Sequence, residues 1–170
     1  LVTGVQTCAL PICQYQTTVM NRPNKYYRHR LAENSSDPLE LESLAGDKVE
    51  GVRKEVAQNP STLVSALEKL VGDENKQVRR YVARNPNTSV LLLEKLSGDK
   101  DQFVRDEVAK NPNTPVPILE KLAGDVDKQV RRCIARNPNT PVSLLEKLAG
   151  DKDGDVRDAV AVHYACMFGA

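Results

Sequence analysis

One spacing constrains this chain more than any other feature. Asn-Pro recurs at Asn59-Pro60, Asn85-Pro86, Asn111-Pro112 and Asn137-Pro138, 26 residues apart each time. Gly-Asp keeps the same beat from Gly46-Asp47 through Gly72-Asp73, Gly98-Asp99, Gly124-Asp125 and Gly150-Asp151. Val-Arg does so at Val52-Arg53, Val78-Arg79, Val104-Arg105, Val130-Arg131 and Val156-Arg157. A half unit, Tyr27-Arg28 to Asn34, stands 25 residues ahead of the first full one. Three signals in one register describe a supersecondary unit that buries its apolar face only by stacking on its copies.

Each unit reads as two short helices. In residues 114–137, Thr114 has the chemistry of an N-cap, and Pro115 suits the first helical position, where no N–H is needed. Val116, Leu119 and Leu122, with Ile118, supply an apolar face at helical spacing. Gly124 is expected to end that helix in the left-handed conformation. Asp125 or Asp127 opens the next helix, whose inward stripe is Val130 and Ile134. Asn137 precedes Pro138 and is driven to extended geometry, so the helix stops there. No segment alternates as a strand does. The expected fold is an all-α solenoid of about five two-helix units without β-sheet. Helices this short are marginal alone, so stability should be collective.

Composition narrows the function. The 24 basic and 23 acidic residues leave a formal net charge of +1, a poor field for a dedicated nucleic-acid or membrane-surface binder. No apolar run approaches the roughly 18 residues of a membrane span. The four Cys form no CxxC pair or dense cluster, which argues against metal sites and disulfide frameworks and favours a reduced, cytoplasmic setting. His29 and His163 are solitary, and His163 occupies the register of the Asn in Asn-Pro. No catalytic constellation or cofactor motif appears.

The ends differ from the array. Residues 1–12, LVTGVQTCALPI, resemble a translated sequencing-adapter strand and are expected to be an artefactual leader. Residues 13–25 are expected to be a disordered N-terminal segment, 26–162 the helical repeat domain, and 163–170 an irregular or truncated tail.

Two sets of residues are candidates for function. The repeated Arg53, Arg79, Arg105, Arg131 and Arg157 accompany the repeated Asp47, Asp73, Asp99, Asp125 and Asp151. An internal ladder fixing the stacking register is favoured over a grip on an anionic ligand, because ligand-reading positions usually vary between units. A 52-residue period overlies the first: residues 76–88 nearly recur as residues 128–140, with Cys133 in place of Tyr81. Second helices therefore alternate between basic and acidic. Lys76, Arg80 and Arg84, with Lys128, Arg132 and Arg136, form two basic clusters suited to an acidic protein or a phosphate backbone; a solvated face without a role is the alternative. Asp106, Glu107 and Asp158 interrupt the stripe, which disfavours nucleic acid. Tyr81 and Phe103 stand at otherwise polar positions, either as exposed anchors or as gap fillers.

The pattern Val-Arg-x-x-Val-Ala-x-Asn-Pro-Asn-Thr-Pro-x-x-Leu-Leu-x-x-Leu-Ala-x-Asp, best matched by residues 104–125 and 130–151, resembles the leucine-rich repeat variant family, bacterial relatives of HEAT-type repeats. The resemblance covers roughly residues 27–162. It implies helix pairs, α with 3₁₀ or α with α, in a right-handed superhelix, and no enzymatic activity. The iron–sulfur cluster of some members is not carried over, since clustered Cys are lacking. The expected function is a non-catalytic interaction module for a peptide or protein. A nucleic-acid-binding repeat, or a regulatory array of a larger protein, are the rivals.

Overall fold

The computed structural model describes residues 24–169; the expected leader, 1–12, and residues 13–23 lie outside the described residues. The long helices are α1 (Lys25–Asn34), α3 (Glu50–Gln58), α5 (Lys76–Arg84), α7 (Gln102–Lys110), α9 (Lys128–Arg136) and α11 (Gly154–Phe168). Between them lie the short helices α2 (Pro38–Leu44), α4 (Val64–Leu70), α6 (Val90–Leu96), α8 (Val116–Leu122) and α10 (Val142–Ala149). No strand occurs among the described residues. Successive long helices stack on one another, and each short helix packs on the long helices before and after it. This is an all-α solenoid with the long helices as its closely packed layer.

The long helices α5, α7 and α9 begin on a polar side chain and end at an Asn, and α11 begins the same way. Asn75, Asp101, Asp127 and Asp153 accept the N–H two residues on, relieving one orphan donor per helix. Val78 and Val82, Val104 and Val108, and Val130 and Ile134 are four apart and fully buried, as are Ala83, Ala109 and Ala135. The small alanines let neighbouring long helices approach. Asn85, Asn111 and Asn137 end the helices at ψ near 124–133°, the extended geometry a following Pro imposes. The short helices bury Leu67 and Leu70, Leu93 and Leu96, Leu119 and Leu122, and Leu145 and Leu148. Each buried Leu contributes about 1.5–3 kcal/mol before ordering entropy is subtracted, and only neighbouring units provide that burial.

Several local expectations are corrected. Thr114 is no N-cap: its hydroxyl donates to the carbonyl of Val108 at 2.6 Å, closing the end of α7, and extended Pro115 precedes α8 without a side-chain cap. Thr62 and Thr140 do the same for Val56 and Ile134 at 2.6 Å. Gly124 is not left-handed; Gly169 alone has a positive φ among the described residues. The short helices are α-helical throughout, so each unit is the α/α form of the two expected. Residues 163–168, expected to belong to an irregular or truncated tail, continue α11, because no Pro follows the Asn-equivalent His163 to stop it. Helix α1 also begins one residue before the expected domain start, at Lys25, and Val116 lies outside the apolar face, at the solvent edge of α8.

Candidate functional site

Three rows of side chains run along the solenoid. In the first, each repeated Arg from Arg28 to Arg131 reaches the Asp one unit ahead. Arg28 meets Asp47 at 2.5 and 3.3 Å, Arg53 meets Asp73 at 2.5 and 3.0 Å, and Arg79 meets Asp99 at 2.7 and 3.0 Å. Arg105 meets Asp125 at 2.7 and 3.0 Å, and Arg131 meets Asp151 at 2.7 and 2.9 Å. The guanidinium also donates backwards, as from Arg79 to the Asp73 carbonyl at 2.8 Å. Each Arg thus ties the loop before its own long helix to the loop before the next. Arg157 makes the backward bond to the Asp151 carbonyl, at 2.7 Å, and is exposed. Burial, the largest single influence, raises the carboxyls of Asp99 and Asp125, but the bonds from Arg79 and Arg105, the backbone N–H groups of Asp101 and Asp127 and the attraction of the guanidinium charges together hold both below the usual carboxylate range. The Arg131 bond does the same for Asp151.

The second row was not anticipated: the Asn of Asn-Pro does more than stop a helix. Asn85 donates to the carbonyls of Ala57 and Asn59 at 2.8 and 3.0 Å, and Asn137 donates to those of Ala109 and Asn111 at 2.7 and 3.1 Å. Asn111 repeats the pattern on Ala83. These amides are buried, and each also accepts an N–H two residues on. The sequence signal was the unvarying Asn before Pro where any residue would be driven out of the helix.

The third row lies on the exposed side of the long helices and couples each residue to the one 27 positions later. Lys54 sits over the ring of Tyr81 at 5.9 Å. Arg80 reaches Glu107 with two donors, at 3.0 and 2.7 Å. Asp106 accepts from the Cys133 thiol at 2.7 Å, and burial, then that carboxylate, pushes the thiol up to about 12. Arg132 is next in the row, and its counterpart is Ala159, which is buried and has no acceptor.

The two expected basic clusters are therefore not equivalent sets of free cations. Lys76 pairs with Asp101 at 3.0 Å, Arg80 with Glu107, and Lys128 with Asp153 and Asp155 at 3.2 and 3.1 Å. Arg84, Arg132 and Arg136 have no carboxylate partner among the described residues. Arg84 and Arg136 are exposed and Arg132 is half-buried, bonded to Gln129 at 3.3 Å. Lys110, in the same register as Arg84 and Arg136, is neutralised by Asp106 four residues before it, at 2.6 Å. Tyr81 is half-buried against the core. Phe103 is 48% exposed, with Lys76 and Arg80 at 5.8 and 6.0 Å from its ring centre.

A groove of about 400 Å³ lies along the seam between α7 and α9, with Phe103, Cys133, Arg132 and Arg136 in its walls. Its cations, Lys110, Arg132 and Arg136, outnumber its carboxylates, Asp106 and Asp127. A second hollow of about 410 Å³ holds Arg80, Arg84, Glu107 and Lys110. The opposite edge carries a row that sequence reading missed: Val64, Val90, Val116 and Val142, in one register, are exposed, with Leu91 76% exposed beside them. Among the described residues no group of three metal-ligating side chains assembles, and no helix is long and apolar enough to cross a membrane.

A family profile described as leucine rich repeat variant matches residues 77–101. No curated protein matches the chain. Among solved structures, one described as a leucine-rich repeat variant with a novel repetitive protein structural motif superposes with a TM-score of 0.68 at 27% identity, over 89% of this chain and 60% of that one. The chain thus spans 60% of the length of that protein. In the motif of its repeat and in the fold that the repeat builds, this chain is similar to the leucine rich repeat variant family.

Proposed function

We propose that this protein is a non-catalytic, cytoplasmic interaction module that binds a peptide or protein on the exposed face of its long helices. One observation carries this reading: Arg84, Arg132 and Arg136 stand unmatched beside hollows on a face whose other charges are largely paired. Arg and exposed aromatics such as Phe103 are the side chains that dominate binding hot spots. Below that face, the Arg–Asp and Asn rows hold the stacking register, so the surface is rigid before a partner arrives. A nucleic-acid backbone fits less well, because Asp106, Glu107 and Asp158 break the positive stripe.

The test is capture of proteins from nuclease-treated bacterial lysate by the whole chain, compared with a variant carrying Arg84→Ala, Arg132→Ala and Arg136→Ala. A discrete protein retained by the parent and lost from the variant, with helical circular dichroism unchanged, is expected. Equal retention by both would remove this face from the function. Material lost only after nuclease, with a salt slope near one unit per phosphate contacted, would point to nucleic acid instead.

A further inference from the structure

The pattern of matched and unmatched charge specifies a ligand chemistry, and the inference rests on the interaction reading above. We propose that the long-helix face recognises an extended acidic peptide segment whose carboxylates are spaced to meet Arg84 at one end and Arg132 with Arg136 at the other.

Two register rules leave these guanidinium groups without a mate. Along a helix, the residue four before Lys110 is Asp106, which neutralises it. The residues four before Arg84 and Arg136 are Arg80 and Arg132. Across the stack, Arg80 finds Glu107 27 positions on, whereas Arg132 finds Ala159. The acidic helix α7 is thus self-neutralised, and the basic helices α5 and α9 on either side each keep excess positive charge. Complementarity therefore calls for two foci of negative charge with a near-neutral stretch between them.

The distance between foci sets the register of the ligand. Packed helices lie about 8–10 Å apart, so α5 and α9, one helix removed from each other, are separated by roughly 16–20 Å. An extended chain advances about 3.3 Å per residue, which places the two acidic positions about five or six residues apart. The groove between α7 and α9, walled by Phe103 at one end and Arg136 at the other, has room for an apolar side chain from the intervening residues. Arg136 also borders the hollow beyond α9, and Arg84 borders the one before α5, so each focus is reachable from both sides. An acidic chain suits this layout better than a polynucleotide, whose charge would recur at every step across α7 and oppose Asp106 and Glu107.

Fluorescence anisotropy with the full chain tests this using three labelled 12-residue peptides and an oligothymidylate of similar length. One peptide carries two Asp-Asp pairs six residues apart with Leu between them, one has the same composition with the four Asp contiguous, and one replaces Asp with Asn. The spaced peptide is expected to bind most tightly, and to weaken about tenfold or more in the Arg132→Ala/Arg136→Ala variant. Lys147→Ala, on α10 of the other layer, should leave it unchanged. Equal binding of spaced and contiguous peptides, or indifference to the arginine substitutions, would overturn the proposal. Preferential binding of the oligothymidylate would overturn both this proposal and the protein-interaction reading. Failure of all four probes, with arginine-dependent capture of a protein from lysate, would reject the acidic ligand and leave the interaction module standing.

Discussion

The Nδ1 atom of His163 lies 2.8 Å from the carbonyl oxygen of Ala135, the contact that Asn137 makes to Ala109 at 2.7 Å one repeat earlier. The carbonyl can only accept, so Nδ1 donates and the ring stands in for the amide. The Asn row thus runs into α11 on a different side chain. Removing an interior member, as in Asn111→Ala, leaves the Ala83 carbonyl without its amide donor and should cost about 1–3 kcal/mol. Urea unfolding followed by circular dichroism measures it, and a loss under about 0.5 kcal/mol would make the row incidental.

Arg79 and Asp99 form one rung with side chains only 8% and 9% exposed. Asp99→Ala leaves a buried guanidinium unmatched and should destabilise the fold by about 3–5 kcal/mol. Arg157→Ala, at an exposed position with one backbone bond, should cost less than about 1 kcal/mol. Equal midpoints for the two variants would contradict the rung's role.

Acid should loosen the stack from the ladder outward. The carboxyls of Asp99, Asp125 and Asp151 are held below their ordinary range. A group with a depressed folded-state pKa stabilises above its unfolded value, about 3.9 for Asp, and that contribution disappears as pH falls through the folded value. Chemical denaturation should give a flat stability contribution from these groups above about pH 5 and a steep decline below about pH 4. The slope should be shallower in the Asp99→Asn variant.

The thiol of Cys133, pushed up to about 12 by burial and by Asp106, should resist alkylation at pH 8, since the thiolate is the nucleophile. Exposed Cys166 should react with iodoacetamide before Cys133 does, as read by peptide mass spectrometry. Asp106→Asn should raise labelling of Cys133. Labelling of Cys133 ahead of Cys166 would contradict the buried bond.

Gly124 lies outside the left-handed region, and a Cβ there would meet the Lys121 carbonyl oxygen at 3.7 Å, ordinary contact. Gly124→Ala should therefore stabilise by about 0.4–1 kcal/mol through the unfolded chain. A fall in thermal midpoint would show that the turn needs glycine after all.

The sequence by itself determined the period, the helix pairing and the identity of the core. A 26-residue register that places Val, Leu and Asn-Pro identically in each unit leaves few ways to bury the apolar positions other than stacking. It could not determine which charges remain available. Arg80 and Arg132 occupy equivalent places in a near-duplicate block, yet one meets Glu107 and the other faces Ala159. That difference arises between helices 27 residues apart, where the packing register, and not chain proximity, decides which side chains touch. The same reason hid the reach of Asn85 to Ala57 and of Asn137 to Ala109. Their residue types were visible in the chain, but their partners were chosen by the tertiary stack, since buried polar groups bond to whatever unsatisfied backbone the fold brings within reach.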